Sequence, residues 1–188
     1  MMISNPVINT IKERKSIRAY KDTALTEEQI ETLVSIALLA PSAVNAQPWH
    51  LVTITDKETI LQMESELVAE LIRTGDEARR ERLASRDNKT LYNTPCFFII
   101  STTDSRNNEL IDAGIMGQTI CLAATSMGLG SVMIGSMRSL FDSDRSEYWR
   151  ERLGFPKGYN YALGVCVGYS NMDGKEREID KSKVSYIG

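Results

Sequence analysis

The sequence predicts an α+β or α/β fold with one mixed sheet, and three observations support this prediction. At 188 residues and 21.0 kDa the chain can form one well-cored domain, whereas two domains would each be small. Segments with strand spacing alternate with segments of helical spacing. Only about four segments have the composition of a strand. A single sheet layered with helices is therefore expected.

Two helices and a loop are predicted in the first fifty residues. The Asn-Pro pair at 5–6 is typical of a helix start, because proline is favoured in the first turn. The Thr-Glu-Glu-Gln run at 26–29 is a capping box, and apolar residues with helical spacing follow it at 30–38. Pro41 ends this second helix, so we expect residues 42–48 to form an ordered loop.

The next part of the chain predicts two strands separated by helical segments. Residues 49–55 have strand composition, and Asp56 then provides an N-cap for a long amphipathic helix. Residues 75–93 are densely charged and predict an exposed helix followed by a mobile loop. Pro95 introduces a buried strand at 96–101.

The last part predicts two further helices and two strands. A helix is expected over 110–127, and Gly128 closes it in the left-handed conformation of a C-cap. Residues 131–134 predict a short strand, 143–153 a charged helix, and 161–169 a final apolar strand.

Charge and hydropathy argue against two classes of protein. A net charge of −3 argues against general nucleic-acid binding. Residues 113–137 carry no charge and are long enough to raise the question of a membrane span. Their glycines and hydroxyl residues make them too polar for a lipid-facing helix, so a helix buried in a core or a subunit interface is expected. We predict neither a nucleic-acid partner nor a membrane partner.

Cysteine and histidine usage predicts neither a metal site nor a catalytic triad. The three cysteines, Cys96, Cys121 and Cys166, are widely spaced and form no C-x-x-C pair. Reduced thiols, together with the absence of a signal-peptide pattern at the N-terminus, indicate a cytoplasmic protein. His50 is the only histidine and has no nucleophile motif around it.

A basic segment near the N-terminus has the chemistry of a phosphate clamp. Cations and a hydroxyl form charge-assisted bonds to a phosphate monoester, and this segment offers Arg14, Lys15, Ser16 and Arg18. The alternative is a solvated basic stretch whose charges pair with Glu13 and Asp22. Lys175 and Arg177 could reach the same phosphate, although taken alone they fit a solvated charge run better.

The loop at 42–49 offers groups that suit a flat polar heterocycle. It carries a hydroxyl, two carboxamides and an indole, from Ser42, Asn45, Gln47 and Trp49. The alternative is a turn in which the amides satisfy their own backbone and the indole lies in the core. Together with the basic segment, the loop suggests a phosphorylated planar cofactor, and flavin mononucleotide (FMN) fits best. The glycines at 128–135 have neither Rossmann nor P-loop spacing, but Gly135 could let the backbone approach a ring closely.

The chain resembles the nitroreductase family of FMN-dependent oxidoreductases. Four segments, in the family's order, support the resemblance: RKSIRAY at 14–20, PSAVNAQPWH at 41–50, MGLGSVMIG at 127–135 and KER at 175–177. The resemblance implies an α+β sandwich with a central mixed, mainly antiparallel sheet flanked by helices. It also implies one domain over 1–188 and an obligate homodimer with FMN at the subunit interface. Residues 170–188 would then form a C-terminal tail that wraps the partner subunit.

The resemblance also implies the residues that bind FMN. Arg14, Lys15, Ser16 and Arg18 would hold the ribityl phosphate and chain together with Lys175 and Arg177, while Pro41, Ser42 and Asn45 would reach the flavin from the other subunit. The full predicted set is Arg14, Lys15, Ser16, Arg18, Pro41, Ser42, Asn45, Gln47, Ile134, Gly135, Ser136, Lys175 and Arg177. Two positions depart from the family: Lys15 stands where many relatives have a second arginine, and Gly135 can offer only backbone.

The activity implied is ping-pong transfer of a hydride from NADH or NADPH to FMN, and of electrons onward to a flat acceptor such as a quinone or nitroaromatic. No side chain is predicted to be catalytic, since the chemistry would take place at N5 of the flavin. A dehalogenase or flavin-fragmenting enzyme on the same scaffold remains an alternative, as does a non-catalytic FMN-binding or storage protein. An anion-binding regulator that uses only the basic cluster is a third.

Overall fold

The computed structural model describes residues 3–103 and 107–188, and within these ranges it contains four strands and seven α-helices. The strands are β1 (Trp49–Ile54), β2 (Cys96–Thr102), β3 (Gly130–Ile134) and β4 (Asn160–Gly168). The helices are α1 (Pro6–Glu13), α2 (Glu27–Leu38), α3 (Lys57–Thr74), α4 (Glu77–Ala84), α5 (Asn107–Ser126), α6 (Arg138–Phe141) and α7 (Ser146–Arg152). This content confirms the predicted α+β class.

The four strands form one sheet in the order β1-β2-β4-β3. Each neighbouring pair is antiparallel, with Trp49 opposite Thr102 at one edge and Gly130 opposite Gly168 at the other. This pairing agrees with the mainly antiparallel sheet that the resemblance implied, whereas no two of the described strands pair in parallel as a mixed sheet requires. Outside the strands, a single parallel bridge joins Ser16 to Ser131. One residue pair cannot be recognised from strand spacing, because it forms no repeating pattern.

The sheet lies between two hydrophobic cores. Every residue of β2 is buried, and its side chains alternate between the two faces as the period of a strand requires. Phe97 and Ile99 pack with residues of α3, α6 and α7, whereas Phe98 and Ile100 pack with residues of α2 and α5. The result is a three-layer sandwich.

The predicted helix boundaries rest on capping chemistry that the structure reproduces. Thr26 and Gln29 form the reciprocal bonds of a capping box at the start of α2. The Asp56 carboxylate accepts from the backbone N–H of Thr59 at 2.8 Å and so begins α3. Gly128 has φ of +73° just after α5, in the left-handed region that favours glycine. Local sequence therefore determines where these helices begin and end.

Two segments differ from the sequence prediction. The charged helix expected over 143–153 begins at Ser146, and the short helix α6 precedes it without having been predicted. The four residues of α6 are too few to produce a recognisable helical period. After α4, a loop was expected to be mobile but is anchored instead.

A buried carboxylate anchors the loop between α4 and β2. Glu64, on α3, is only 8% exposed. Its Oε1 atom accepts from the backbone N–H of Thr90 at 2.6 Å and of Leu91 at 2.5 Å. Leu91 is fully buried in the core below. The loop has positive φ angles at Asn88 (+57°), where asparagine is well tolerated, and at Tyr92 (+60°), where a bulky side chain keeps this conformation only when its surroundings hold it.

We predict that Glu64→Ala lowers the free energy of unfolding by about 1–3 kcal/mol, because it leaves two buried N–H groups without an acceptor. Urea unfolding measures the change. Glu81→Ala removes an exposed carboxylate from α4 and serves as the control, with an expected change within about 0.5 kcal/mol. Equal stabilities for the two variants would contradict the anchoring role.

Candidate functional site

The basic segment at 14–18 is held against the sheet by main-chain hydrogen bonds. The N–H of Ile17 donates to the backbone carbonyl of Ser131 at 3.0 Å, and the N–H of Lys21 donates to the backbone carbonyl of Tyr169 at 2.9 Å. The segment thus runs beside the start of β3 and the residue that follows β4. Since α1 ends at Glu13, the cations occupy extended backbone that the sheet edge positions.

Two buried side chains fix the same segment from below. Ile17 and Tyr20 both belong to the core on the α3 side of the sheet. The Tyr20 hydroxyl can donate to the carbonyl oxygen of Ile17 at 3.0 Å or of Cys166 at 3.2 Å. Burial raises the pKa of Tyr20 far above its usual range, so this hydroxyl remains a proton donor. Arg18, the charged residue between these two anchors, is exposed, and Arg14 and Lys15, just before them, are half-buried.

The outward-facing cations line an open cavity of about 640 Å³. Its volume falls within the range of pockets for small molecules and cofactors. The predicted phosphate-binding residues meet here: Arg14, Lys15, Ser16, Arg18, Lys175 and Arg177. This grouping favours the clamp over the solvated stretch proposed as its alternative. Asp22, offered there as a partner for these charges, pairs instead with Lys57 at 3.0 Å.

Residues 175–177 and Ile179 of the tail form one wall of this cavity, and the residues just before them fix its position. The N–H of Arg18 donates to the sulfur of Met172 at 3.1 Å. A Cβ atom on Gly174 would lie 2.4 Å from the Cβ of Lys15, so only glycine fits at this approach. The Glu176 carboxylate lies 3.8 Å from the Lys15 ammonium, which offsets part of the positive charge. Segments far apart in sequence therefore build a single site.

The other predicted cofactor residues lie outside this cavity in the single chain. Pro41 and Ser42 border a separate cavity of about 250 Å³, and Ser136 borders a third of about 260 Å³. Ile134 is buried at the end of β3, and an added Cβ on Gly135 would meet no atom within 4 Å. Open space at Gly135 agrees with a site for close backbone approach. The contribution of Pro41, Ser42 and Asn45 from a second subunit stays a prediction.

The loop at 42–47 is strained and internally bonded. Residues 43–45 form a 3-10 turn, with positive φ at Val44 (51°), Asn45 (55°) and Gln47 (47°). The Gln47 N–H donates to Ser42 Oγ at 2.9 Å, and the Gln47 amide donates to Asn45 Oδ1 at 3.1 Å. The side chains thus bond to each other as well as to the backbone. Such strain is typical of segments with a binding role.

The sequence analysis missed a carboxylate that anchors this loop. Asp112 on α5 is 3% exposed, and its two oxygens lie 3.2 and 3.3 Å from the backbone nitrogen of Ala43, which donates to them. The one available signal was its position directly before the uncharged run at 113–137. A carboxylate there must find a partner when the helix is buried.

Gln118 was also missed as a residue of the first cavity. It lies on α5 and faces the cavity together with Met133 of β3. At the preceding residue, a Cβ on Gly117 would lie 2.5 Å from Cδ2 of Leu163, so the glycine lets α5 approach β4 closely. An amide offers both a donor and an acceptor, which complements the cations opposite. Gln118 is the one long polar side chain in the uncharged segment at 113–137, and this signal could have marked it as a candidate site residue.

The cysteines and the histidine provide no redox or nucleophilic centre. All three cysteines are free and buried. Burial raises the pKa of Cys96 to about 12 and raises those of Cys121 and Cys166, so the thiols stay protonated at neutral pH. His50 makes an edge contact with Phe155, with ring centres 6.5 Å apart. Within residues 3–103 and 107–188, no group of three or more metal-ligating side chains occurs.

No helix in the described ranges is both long enough and apolar enough to cross a bilayer. For the uncharged run at 113–137, this agrees with the predicted buried helix. The α5 side chains of Met116, Ile120 and Ala124 are buried in the core instead.

The fold and the cavity together define an α+β sandwich with a cationic site suited to a phosphorylated ligand. Residues 11–169 match the Nitroreductase family, and the chain belongs to that family. The resemblance based on the four sequence segments is therefore confirmed. The match includes all of the basic segment at 14–18 and all of the 41–50 loop, whereas Lys175 and Arg177 lie beyond it.

Individual relatives agree with this membership. The chain is similar to a crystal structure of a nitroreductase with bound FMN from Desulfitobacterium hafniense, with a TM-score of 0.95 and 32% identity over 99% of this chain and 100% of that one. It is 29% identical to an FMN reductase (NADPH) of Bacillus subtilis, over 96% of this chain and 72% of the relative. An FMN reductase [NAD(P)H] of the same organism is 31% identical over 97% and 73%.

We predict that Asp112→Asn speeds hydrogen exchange at the Ala43 amide by roughly ten- to a hundredfold, because a bond to a charged acceptor becomes a bond to a neutral one. Amide exchange read by NMR measures this. Asp142→Asn makes the same chemical change at an exposed position and should leave the Ala43 amide unaffected. Unchanged exchange in Asp112→Asn would show that the carboxylate does not hold the loop.

Proposed function

We propose that this protein is an FMN-dependent oxidoreductase that takes a hydride from NADH or NADPH and passes electrons to a flat acceptor, a quinone or nitroaromatic, by a ping-pong mechanism. The observation that carries the proposal is the cavity where cations from both ends of the chain converge. Family membership and the FMN-bound similar structure support the cofactor.

The donor set of the cavity fits FMN. Guanidinium and ammonium groups with one hydroxyl are the partners that a phosphate monoester requires. Arg14 supplies a guanidinium group and Ser16 a hydroxyl, and Gln118 supplies an amide for the polar parts of the ligand. Gly135, next along the chain after β3, leaves room for a ring to approach the backbone. We assign the phosphate to the cations, and the ring to the backbone of 134–136.

FMN supplies the hydride and electron chemistry when it is bound. The chain's own contribution is to bind the cofactor, to orient it and to provide the electric field around it. The cations concentrate positive charge in one cavity although the chain carries a net charge of −3, so an anionic ligand is attracted there rather than to the general surface. Buried thiols and the isolated histidine take no part.

The active unit that we propose is a homodimer. Apolar side chains that a monomer would expose to water support it, including Leu39 (75% exposed) on the approach to the 41–47 loop and Ile187 (99%) in the tail. An apolar groove of about 440 Å³ runs between α1, α2 and α5. In this arrangement residues 1–188 form one domain, Pro41, Ser42, Asn45 and Gln47 complete the partner's site, and residues 170–188 wrap the partner.

We also propose a cytoplasmic location. Three free thiols, buried and unpaired, suit a reducing compartment.

Absorbance spectroscopy tests the function. The purified protein should be yellow with bound FMN, should bleach when NADPH or NADH is added without oxygen, and should recover its colour when a neutral quinone is added. A yellow protein that neither donor bleaches would point to an FMN-binding or storage role. Failure to take up FMN would contradict the proposal.

Arg14→Ala and Arg18→Ala should each raise the dissociation constant for FMN roughly tenfold or more, because each removes a charge-assisted bond. Fluorescence titration of the apoprotein with FMN measures this. Lys21→Ala removes an exposed cation of the same segment that does not line the cavity, and should leave the constant unchanged. Equal affinities in all three variants would show that the clamp is wrongly assigned.

A further inference from the structure

A second cationic cavity lies between α4, the anchored loop and the segment that follows β3. Its volume is about 260 Å³. The polar residues around it are all cationic or hydroxyl-bearing: Arg79, Arg82, Arg86, Lys89, Thr90, Tyr92, Ser136 and Ser139. The first cavity shares none of these residues.

Helical spacing places Arg79 and Arg82, three residues apart on α4, on one side of that helix. Arg86 lies in the turn after α4 ends at Ala84 and lines the same cavity. The acidic residues of α4, Glu77 and Glu81, do not line the cavity. Segregated charges on so short a helix leave the cationic face available for an external anion.

These cations have no internal counter-charge. In the described residues, Arg79, Arg82, Arg86 and Lys89 form no ion pair, and Arg86 makes only a long bond of 3.4 Å to the Tyr92 hydroxyl. Elsewhere arginines do find carboxylates, as Arg73 does with Glu70 at 2.7 Å. Like charges held together repel each other, so a bound anion would lower the energy of the cluster.

The wall opposite α4 is rigid. The backbone N–H groups of Thr90 and Leu91 donate to the Glu64 carboxylate, and Tyr92 keeps a left-handed conformation at φ of +60°. On the helix side, Leu83 is buried in the core and orients α4. A pre-organised wall lowers the cost of binding a ligand.

The two cavities lie close to the same strand end. Met133 lines the first and Ser136 lines the second, and three residues of chain span at most about 11 Å. At about 260 Å³ the second cavity is below the usual size for a whole cofactor, but it has room for one or two phosphate groups. It therefore adjoins the place assigned above to the flavin ring.

We propose that the α4 cavity binds the phosphate groups of the nicotinamide dinucleotide that donates the hydride. The assignment rests on the proposed function. Three guanidinium groups and an ammonium match a polyanion better than a neutral quinone or a single carboxylate, and the planar fork of arginine suits phosphate oxygens. The cluster would thus hold the donor's phosphates while its nicotinamide ring reaches the flavin.

The test compares Arg79→Ala/Arg82→Ala with Arg80→Ala in FMN-loaded protein. Arg80→Ala removes one positive charge from α4, half of what the double variant removes, but the Arg80 Nε donates to the carbonyl of Ile72 at 2.9 Å and Arg80 does not line the cavity. FMN content, KM for NADPH and NADH with a neutral quinone, and calorimetric binding of inorganic pyrophosphate are measured at fixed ionic strength. The double variant should keep its FMN, lose pyrophosphate binding and raise KM at least tenfold. Arg80→Ala should match the unmodified protein.

Each outcome separates this inference from the function on which it rests. A raised KM for both donors supports a site for the shared diphosphate, and a raised KM for NADPH alone supports a site for its 2′-phosphate. Unchanged KM values in a yellow, active double variant would overturn the α4 site and leave the proposed function intact. Loss of FMN from the double variant would assign the cluster to the flavin site, and this result too would overturn the α4 site for the donor's phosphates. Unmodified protein that takes up no FMN would refute the proposed function first.

Discussion

Two main-chain hydrogen bonds hold the N-terminal segment against the sheet, from Ile17 to Ser131 and from Lys21 to Tyr169. They connect the short extended piece after α1 to the beginning of β3 and to the residue after β4. Without them, the cations would sit on a chain free to sample many directions, and each contact with a ligand would bear that entropy cost. The buried side chains of Ile17 and Tyr20 act with these bonds. The cavity exists because the sheet edge fixes its backbone.

The sequence was most informative where the chemistry is local. The capping box at Thr26 and the glycine cap at Gly128 depend on neighbours within a few residues, and both helix boundaries came out correctly. The phosphate clamp that we propose could be suggested from the sequence because its first cations are consecutive or nearly so. A link to Lys175 and Arg177 could be suggested from their charge, but a solvated charge run fitted them as well, and it was the family resemblance that favoured the link.

Long-range packing explains what could not be predicted. Glu64 and Asp112 read as ordinary helix carboxylates, and only the folded chain shows each accepting from the backbone of a distant loop. Strand spacing predicted how many strands there are but not their direction, because an antiparallel and a parallel neighbour bury the same alternating face. The cationic face of α4 was hidden in a segment whose positive and negative charges are interleaved in sequence. Helical geometry separates them.

The tail wall has a consequence for how the protein folds. Lys15 meets Gly174 and Glu176, so about 160 residues of chain separate the two sides of one cavity. Contacts between such distant positions carry the largest loop-closure cost and raise the contact order of the native state. The helices and the central strands have partners nearer in sequence, whereas this cavity needs both ends of the chain in place. A ligand that bridges both sides therefore selects fully folded molecules and stabilises them against opening at the point where the two ends of the chain meet.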